Sequence, residues 1–246
     1  MANHYIELRS KTAIYTATCL PDLAEKVATY INAVDDVFPV LTSSFGVPPE
    51  ITKFTVEFVA GGGYYGGSGR IALSTNEPNL TRERPACYDG GLVFETIHGF
   101  LEPLRHPPHG IDRPRIGKNR LDESFSTIVE IDFLNKVGAS DAACRHRRGR
   151  GMGRCHHALL FALVEIYDFH KMAVFHKFFS YVDKAGKSRR LLLDATKYGQ
   201  DEKTPYTRSY MSRLGEIFEE SAGVGVTNIL LKYAAADYDG GGGVAS

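Results

Sequence analysis

Polar and apolar positions alternate through the first third of the chain. Residues 4–19, HYIELRSKTAIYTATC, are rich in β-branched and aromatic side chains with a partial two-residue period, which predicts one or two strands. The period then changes. In PDLAEKVATYINAVDDVF, residues 21–38, Leu23, Val27, Tyr30, Ile31 and Val34 recur at three- and four-residue spacing behind a leading proline, the pattern of a helix packed on a sheet. After the turn residues Gly46-Val47-Pro48-Pro49, the segment ITKFTVEFVA sets Ile51, Phe54, Val56 and Phe58 among polar neighbours as a half-buried strand does. Six glycines between Gly61 and Gly69 predict a mobile loop or a distorted sheet edge, because glycine loses the most backbone entropy on ordering. Arg70-Ile71-Ala72-Leu73-Ser74 resumes a strand, and Thr75 to Tyr88 reads as loop.

From residue 90 onward helical spacing takes over, at 91–104, 120–137, 156–168, 171–184 and 205–221. A strand-rich half followed by a helical half predicts an α+β fold. The expected organisation is one domain over residues 1–238, with a β-rich lobe at 1–88 and a helical lobe at 89–238, followed by a flexible glycine-rich tail at 239–246.

Composition narrows the functional classes. The 246 residues carry 29 basic and 29 acidic side chains, so no net field draws the chain to nucleic acid or to an anionic membrane, and neither is an expected partner. Hydrophobic residues make up 43%, enough to fill a sizeable core. No apolar run approaches the roughly 20 residues a membrane-spanning helix needs. The start, MANHYIELRSK, lacks the apolar core of a signal peptide, so a cytoplasmic or otherwise intracellular protein is expected, or a form already processed. Cys19, Cys87, Cys144 and Cys155 are too scattered for a disulfide framework, and reduced thiols are expected.

The chemistry concentrates in GGLVFETIHGFLEPL, residues 90–104. Residues four apart share one helix face, here Phe94, His98 and Glu102. The core of the segment, Phe94-Glu95-Thr96-Ile97-His98, differs by one residue from H-E-x-x-H, in which two imidazoles grip a zinc ion and the glutamate polarises a bound water. Phenylalanine stands where the first histidine would. Glu123, in NRLDESFSTIVEIDFL, offers a ligand from the following helix; Asp122 points to a neighbouring face, and Glu130, two turns further, lies too far along. His106 and His109 in the intervening loop are candidate replacements for the missing ligand, and Glu102 is a further one. The plainer reading makes Val93, Phe94, Ile97, Phe100, Leu101 and Leu104 an ordinary buried stripe, with His98 a structural histidine bonded to Glu123 in a metal-free cleft.

The order of elements resembles the gluzincin, or thermolysin-like, branch of the zinc metallopeptidases. The resemblance rests on VFPVLTSSFGVPPEITKFTVEFV, GRIALS, FETIH, LDESF and HKMAVFHKFFSYVDKAG, over roughly residues 5–220. It implies a zincin-like fold, zinc ligands at position 94, His98 and Glu123, and Glu95 as general base. Phe94 departs from that pattern, and two ligands fall short of the three protein ligands and a water that catalytic zinc uses. In zincins an edge strand before the active helix pairs with extended substrate. The glycine-rich segment, with Tyr64, Tyr65, Gly67 and Gly69, would offer that pairing or occlude the cleft. The resulting expectation is a degenerate metallopeptidase without a cofactor, working as a binding, structural or self-assembling protein with a peptide, a protein or a second copy as partner. The alternative is a zinc-dependent peptidase in which His106 or His109 supplies the third ligand.

Residues 144–157, CRHRRGRGMGRCHH, have the most unusual local composition. Their arginines could meet phosphates, but no aromatic residues interleave to stack bases, so a solvated interhelical loop is expected. The spacing of Cys144, Cys155, His156 and His157 matches no common zinc motif. No G-x-S-x-G is present, and Gly67-Ser68-Gly69 is expected to be a flexible loop.

Overall fold

A computed structural model of the chain describes residues 4–77, 80, 88, 90–105, 121–149, 154–186 and 206–234. Among them lie five strands, β1 (Ile6–Arg9), β2 (Tyr15–Cys19), β3 (Phe54–Val59), β4 (Gly63–Gly67) and β5 (Arg70–Ser74). Eight α-helices are described: α1 (Ala24–Phe45), α2 (Gly91–Arg105), α3 (Leu121–Lys136), α4 (Ser140–Arg147), α5 (Arg154–His170), α6 (Met172–Gly186), α7 (Arg208–Ala222) and α8 (Thr227–Tyr233). The fold is thus mixed, with its described strands confined to the first part of the chain. No described helix is long and apolar enough to cross a membrane. Two compact units divide the chain, Met1–Pro103 with Val129–His146, and Leu104–Ile128 with Arg147–Ser246.

In the first unit the strands form one mixed sheet in the order β1-β2-β3-β5-β4. The central pairs β2–β3 and β3–β5 are parallel, while β1 and β4 run antiparallel to their neighbours. Parity decides which face is buried. Tyr15, Ala17 and Cys19 on β2 and Phe54, Val56 and Phe58 on β3 point inward, while Thr16, Thr18, Thr55 and Glu57 point outward. Helix α1 supplies Val27, Tyr30, Ile31, Val34, Phe38, Leu41 and Phe45 to the same core. Phe100 of α2 completes it, its ring centroid lying 5.7 Å from Phe38, 5.4 Å from Phe45 and 6.2 Å from Phe54. Each buried phenylalanine of this kind contributes roughly 1.5–3 kcal/mol over its exposed state.

Helix α1 extends past its expected end at Phe38. Pro39 lies inside it on an exposed position, although an interior proline removes a backbone bond and costs about 3 kcal/mol. Burial of Phe38, Leu41, Ser44 and Phe45 on either side of the proline offsets that cost. The helix stops at Gly46, which takes the left-handed conformation (φ 77°) and donates its N–H to the Thr42 carbonyl at 2.9 Å.

The glycine-rich segment is the edge strand β4, the more ordered of its two expected forms. Gly67-Ser68-Gly69 is not a flexible loop. Ser68 (φ 52°) and Gly69 (φ 79°) form a tight turn between the paired Gly67 and Arg70, with two consecutive left-handed residues as a two-residue hairpin requires. A Cβ on Gly69 would lie 2.5 Å from the Lys53 carbonyl, so only glycine fits there.

The second unit is helical. Phe125, in the first half of α3, stacks on Phe178 with ring centroids 5.0 Å apart, and Phe175, Phe179 and Phe218 close around them. Thr207 caps α7 by accepting from the Tyr210 N–H at 3.2 Å. The short helix α8 was not anticipated from the pattern. It packs on α7 where Gly215 leaves no room for a Cβ against Thr227, and on α5, where Glu165 accepts from Lys232 at 2.8 Å and Tyr233 at 2.7 Å.

The arginine-rich run departs from the expected loop. Cys144–Arg147 belong to α4 and residues 154–157 to α5, consistent with the good helix propensity of arginine. Arg147 also pairs with Asp168 of α5. Residues 150–153 lie outside the described residues, as does the tail at 239–246. Cys19 and Cys144 are free thiols, whereas Cys87 lies outside the described residues.

Candidate functional site

Helix α2 is placed by polar contacts along its length. At its start Glu77, itself buried, accepts from the Gly91 N–H at 3.3 Å, and the Tyr30 hydroxyl accepts from the Leu92 N–H at 3.1 Å. These are donors that the first turn of a helix leaves unsatisfied, and the Glu77 carboxylate also suits the positive end of the helix dipole. One turn later the Tyr15 hydroxyl meets Thr96 Oγ1 at 3.1 Å, while the Thr96 hydroxyl bonds back to the Leu92 carbonyl at 2.7 Å. Burial pushes the Tyr15 phenol far above its ordinary range, and the Thr96 bond only partly opposes this, so Tyr15 stays neutral. Near the helix end the Glu102 carboxylate accepts from the Ser68 N–H at 2.8 Å, tying α2 to the β4–β5 turn.

These contacts fix the face that carries Phe94, His98 and Glu102. His98 is only 4% exposed. The half-buried Phe94 ring stands edge-on to the imidazole, with centroids 4.6 Å apart and planes at 86°. Position 94 is therefore a packing position against His98. Glu95 is half-buried and lies about 100° around the helix from Phe94.

Glu123 and Asp122 begin α3 in the second unit, whereas His98 belongs to the first. Asp122 is buried and Glu123 half-buried. Both stand in the first helical turn, where the dipole favours carboxylates. Inside the same unit the Tyr210 phenol is pushed well above its ordinary range, chiefly by complete burial, with Tyr206 and the Asp122 charge adding to it. Glu130, 1% exposed, falls in the first unit and pairs with His146 of α4 at 3.4 Å. That pairing gives it a role separate from Asp122 and Glu123.

The segment expected to line a substrate cleft forms a strand at the edge of the described sheet. β4 ends the sheet, with β5 as its neighbour, and Gly67 and Gly69 belong to the turn held by Glu102. Tyr64 and Tyr65 are part of β4, but their side chains are outside what is described. His106 and His109 also lie outside the described residues. Glu77, Tyr30, Tyr15 and Thr96 were not anticipated from the sequence. Each acts through one long-range contact, which leaves no periodic or motif signal.

The donor chemistry can be set against what catalytic zinc demands. A family site would draw on position 94, His98 and Glu123. Phe94 has no donor atom, so that ligand set is incomplete. Compared with known proteins, the chain matches no family model, and no curated protein or solved structure matches it significantly.

Proposed function

We propose that the chain is a degenerate relative of the gluzincin metallopeptidases that has given up catalytic zinc and works as a binding protein for an extended peptide segment. The Phe94–His98 stack carries this reading: an aromatic ring packs where the first zinc ligand would stand, and the neighbouring imidazole is buried beneath it. The peptide would add to the edge strand β4, whose turn is fixed to the same helix through Ser68 and Glu102. Main-chain bonds to an edge need no catalytic group.

Metal content tests the reading. Protein purified without added zinc should contain no stoichiometric metal by elemental analysis. Phe94→His should introduce zinc affinity measurable by calorimetry, because it restores the missing imidazole one turn before His98. Circular dichroism must first show that the variant folds, since Phe94 packs on its neighbour. A folded Phe94→His protein that ignores zinc would count against zincin geometry. Stoichiometric zinc in the unmodified protein, lost on His98→Ala, would instead favour a zinc hydrolase in which His98 and Glu123 hold the ion and His106 or His109 supplies the third ligand.

A further inference from the structure

We propose that the outer face of the sheet in the first unit is a self-association surface that takes a second copy of this chain, face to face, about a two-fold axis. The face is built from the outward residues of β1, β2, β3 and β5, and the strand register arranges them in two rows. One row runs Arg9, Thr16, Thr55, Arg70, and the next runs Glu7, Thr18, Glu57 and Ala72, of which Ala72 is buried. The first row carries positive charge and the second negative. Between the charges lie Thr16, Thr18 and Thr55, short β-branched side chains that leave a flat surface. The side chains of Glu7 and Arg9 are 58% and 69% exposed, and Thr55, Glu57 and Arg70 are exposed as well. Tyr5, just ahead of β1 and of the same parity, is one of two exposed large hydrophobic residues among the described ones.

Two physical arguments select the occupant. The central pairs β2–β3 and β3–β5 are parallel, and parallel strands are normally covered on both faces, yet Thr55, Glu57 and Arg70 on this face are exposed. Charge complementarity then names what covers it. A two-fold axis lying between the layers and perpendicular to the strands exchanges the two rows while keeping each strand opposite itself. Arg9 of one copy then faces Glu7 of the other, and Thr16 faces Thr18. Within each copy Arg9 already bonds Glu7 at 3.1 Å, so the two pairs close into a ring of alternating charge. An axis parallel to the strands would set Arg9 and Arg70 against the matching row and is disfavoured by like charges. A pattern complementary to itself under a two-fold rotation is what an isologous dimer requires, and equal numbers of basic and acidic groups leave no net repulsion to oppose it.

Sedimentation equilibrium on the full chain tests this, at low salt and at about 1 M salt, where the screening length falls to about 3 Å. The unmodified protein should dimerise at low salt and weaken at high salt. Glu7→Arg should raise the dissociation constant at least about tenfold, because Arg9 of one copy would then face an arginine of the other. Adding Arg9→Glu to Glu7→Arg exchanges the charges of that one pair and should restore the dimer, which a general surface perturbation would not do. Thr55→Glu, which sets a second carboxylate opposite Glu57 of the other copy, should weaken association further without unfolding the chain, as checked by circular dichroism. A protein that stays monomeric up to about 1 mM, a dimer indifferent to Glu7→Arg and Thr55→Glu, or a charge exchange that fails to restore association would each overturn the proposal.

Discussion

The two units hold their helices in different ways. In the first, α1 and α2 are tied down by single directional contacts: Asp35 to Thr12, Tyr30 to Leu92, Tyr15 to Thr96, Glu77 to Gly91 and Glu102 to Ser68. In the second, Phe125, Phe175, Phe178, Phe179 and Phe218 fill the interior with rings, and the polar contacts lie toward the surface, as at Arg213–Glu216 and Lys232–Glu165. Hydrogen bonds carry direction, whereas ring packing chiefly fixes volume. The first unit therefore sets the rotation of α2 residue by residue, which determines where His98 and Glu102 point. The second unit gains stability from its filled interior, with less polar specification of each helix.

The contrast can be tested from its strongest end. Phe218→Ala should lower stability by about 3–5 kcal/mol in urea unfolding, because a large cavity opens among stacked rings. A loss below that of any single polar tether would break the distinction. Asp35→Asn should cost roughly 1.5–3 kcal/mol at neutral pH, the usual range for bonds to a charged group. Burial alone would raise the Asp35 carboxyl, but bonds from Ser10 and Thr12 and the nearby Lys11 hold it below the usual carboxylate range. A lowered folded value gives stability that is present above the unfolded value near 3.9 and is lost as the pH falls through the folded one. The unmodified protein should thus lose stability below about pH 4 more steeply than Asp35→Asn does, and equal slopes in unfolding between pH 7 and pH 3 would remove the tether from the account. Gly67→Ala should have the smallest effect, about 1–2 kcal/mol for a left-handed residue that gains a side chain. Its Cβ would lie 2.9 Å from Glu102 Oε1, so amide exchange at Ser68 should speed up as the carboxylate is displaced. Unchanged exchange would show that the Ser68 bond does not depend on the glycine.

Periodic features of this fold were legible in the sequence. The spacing of Val27, Tyr30, Ile31 and Val34 and the alternation of Phe54, Val56 and Phe58 located α1 and β3, because burial of one face repeats along the chain. Features that depend on one distant partner were not legible. The helical pattern predicts α1 only as far as Phe38, yet the apolar face continues beyond Pro39 to Phe45. The arginine-rich run looked like solvated loop, since composition alone does not show the pairing of Arg147 with Asp168. At the site, the side-by-side placement of Phe94 and His98 followed from helical spacing. The hold of Glu102 on Ser68 joins residues 34 positions apart and had no local signature.

One irregularity in β4 bears on how much chain its edge can accept. Gly63, Tyr64 and Tyr65 pair in step with Leu73, Ala72 and Ile71, and then the register slips before Gly67 meets Arg70. A bulge of this kind throws the next N–H and C=O groups out of step with any strand laid alongside. The regular stretch is only three residues long, so an added segment can run in register for about that distance before it must bend away. The same slip would cap the length of a peptide of the proposed kind and works against the open-ended stacking to which bare sheet edges are prone.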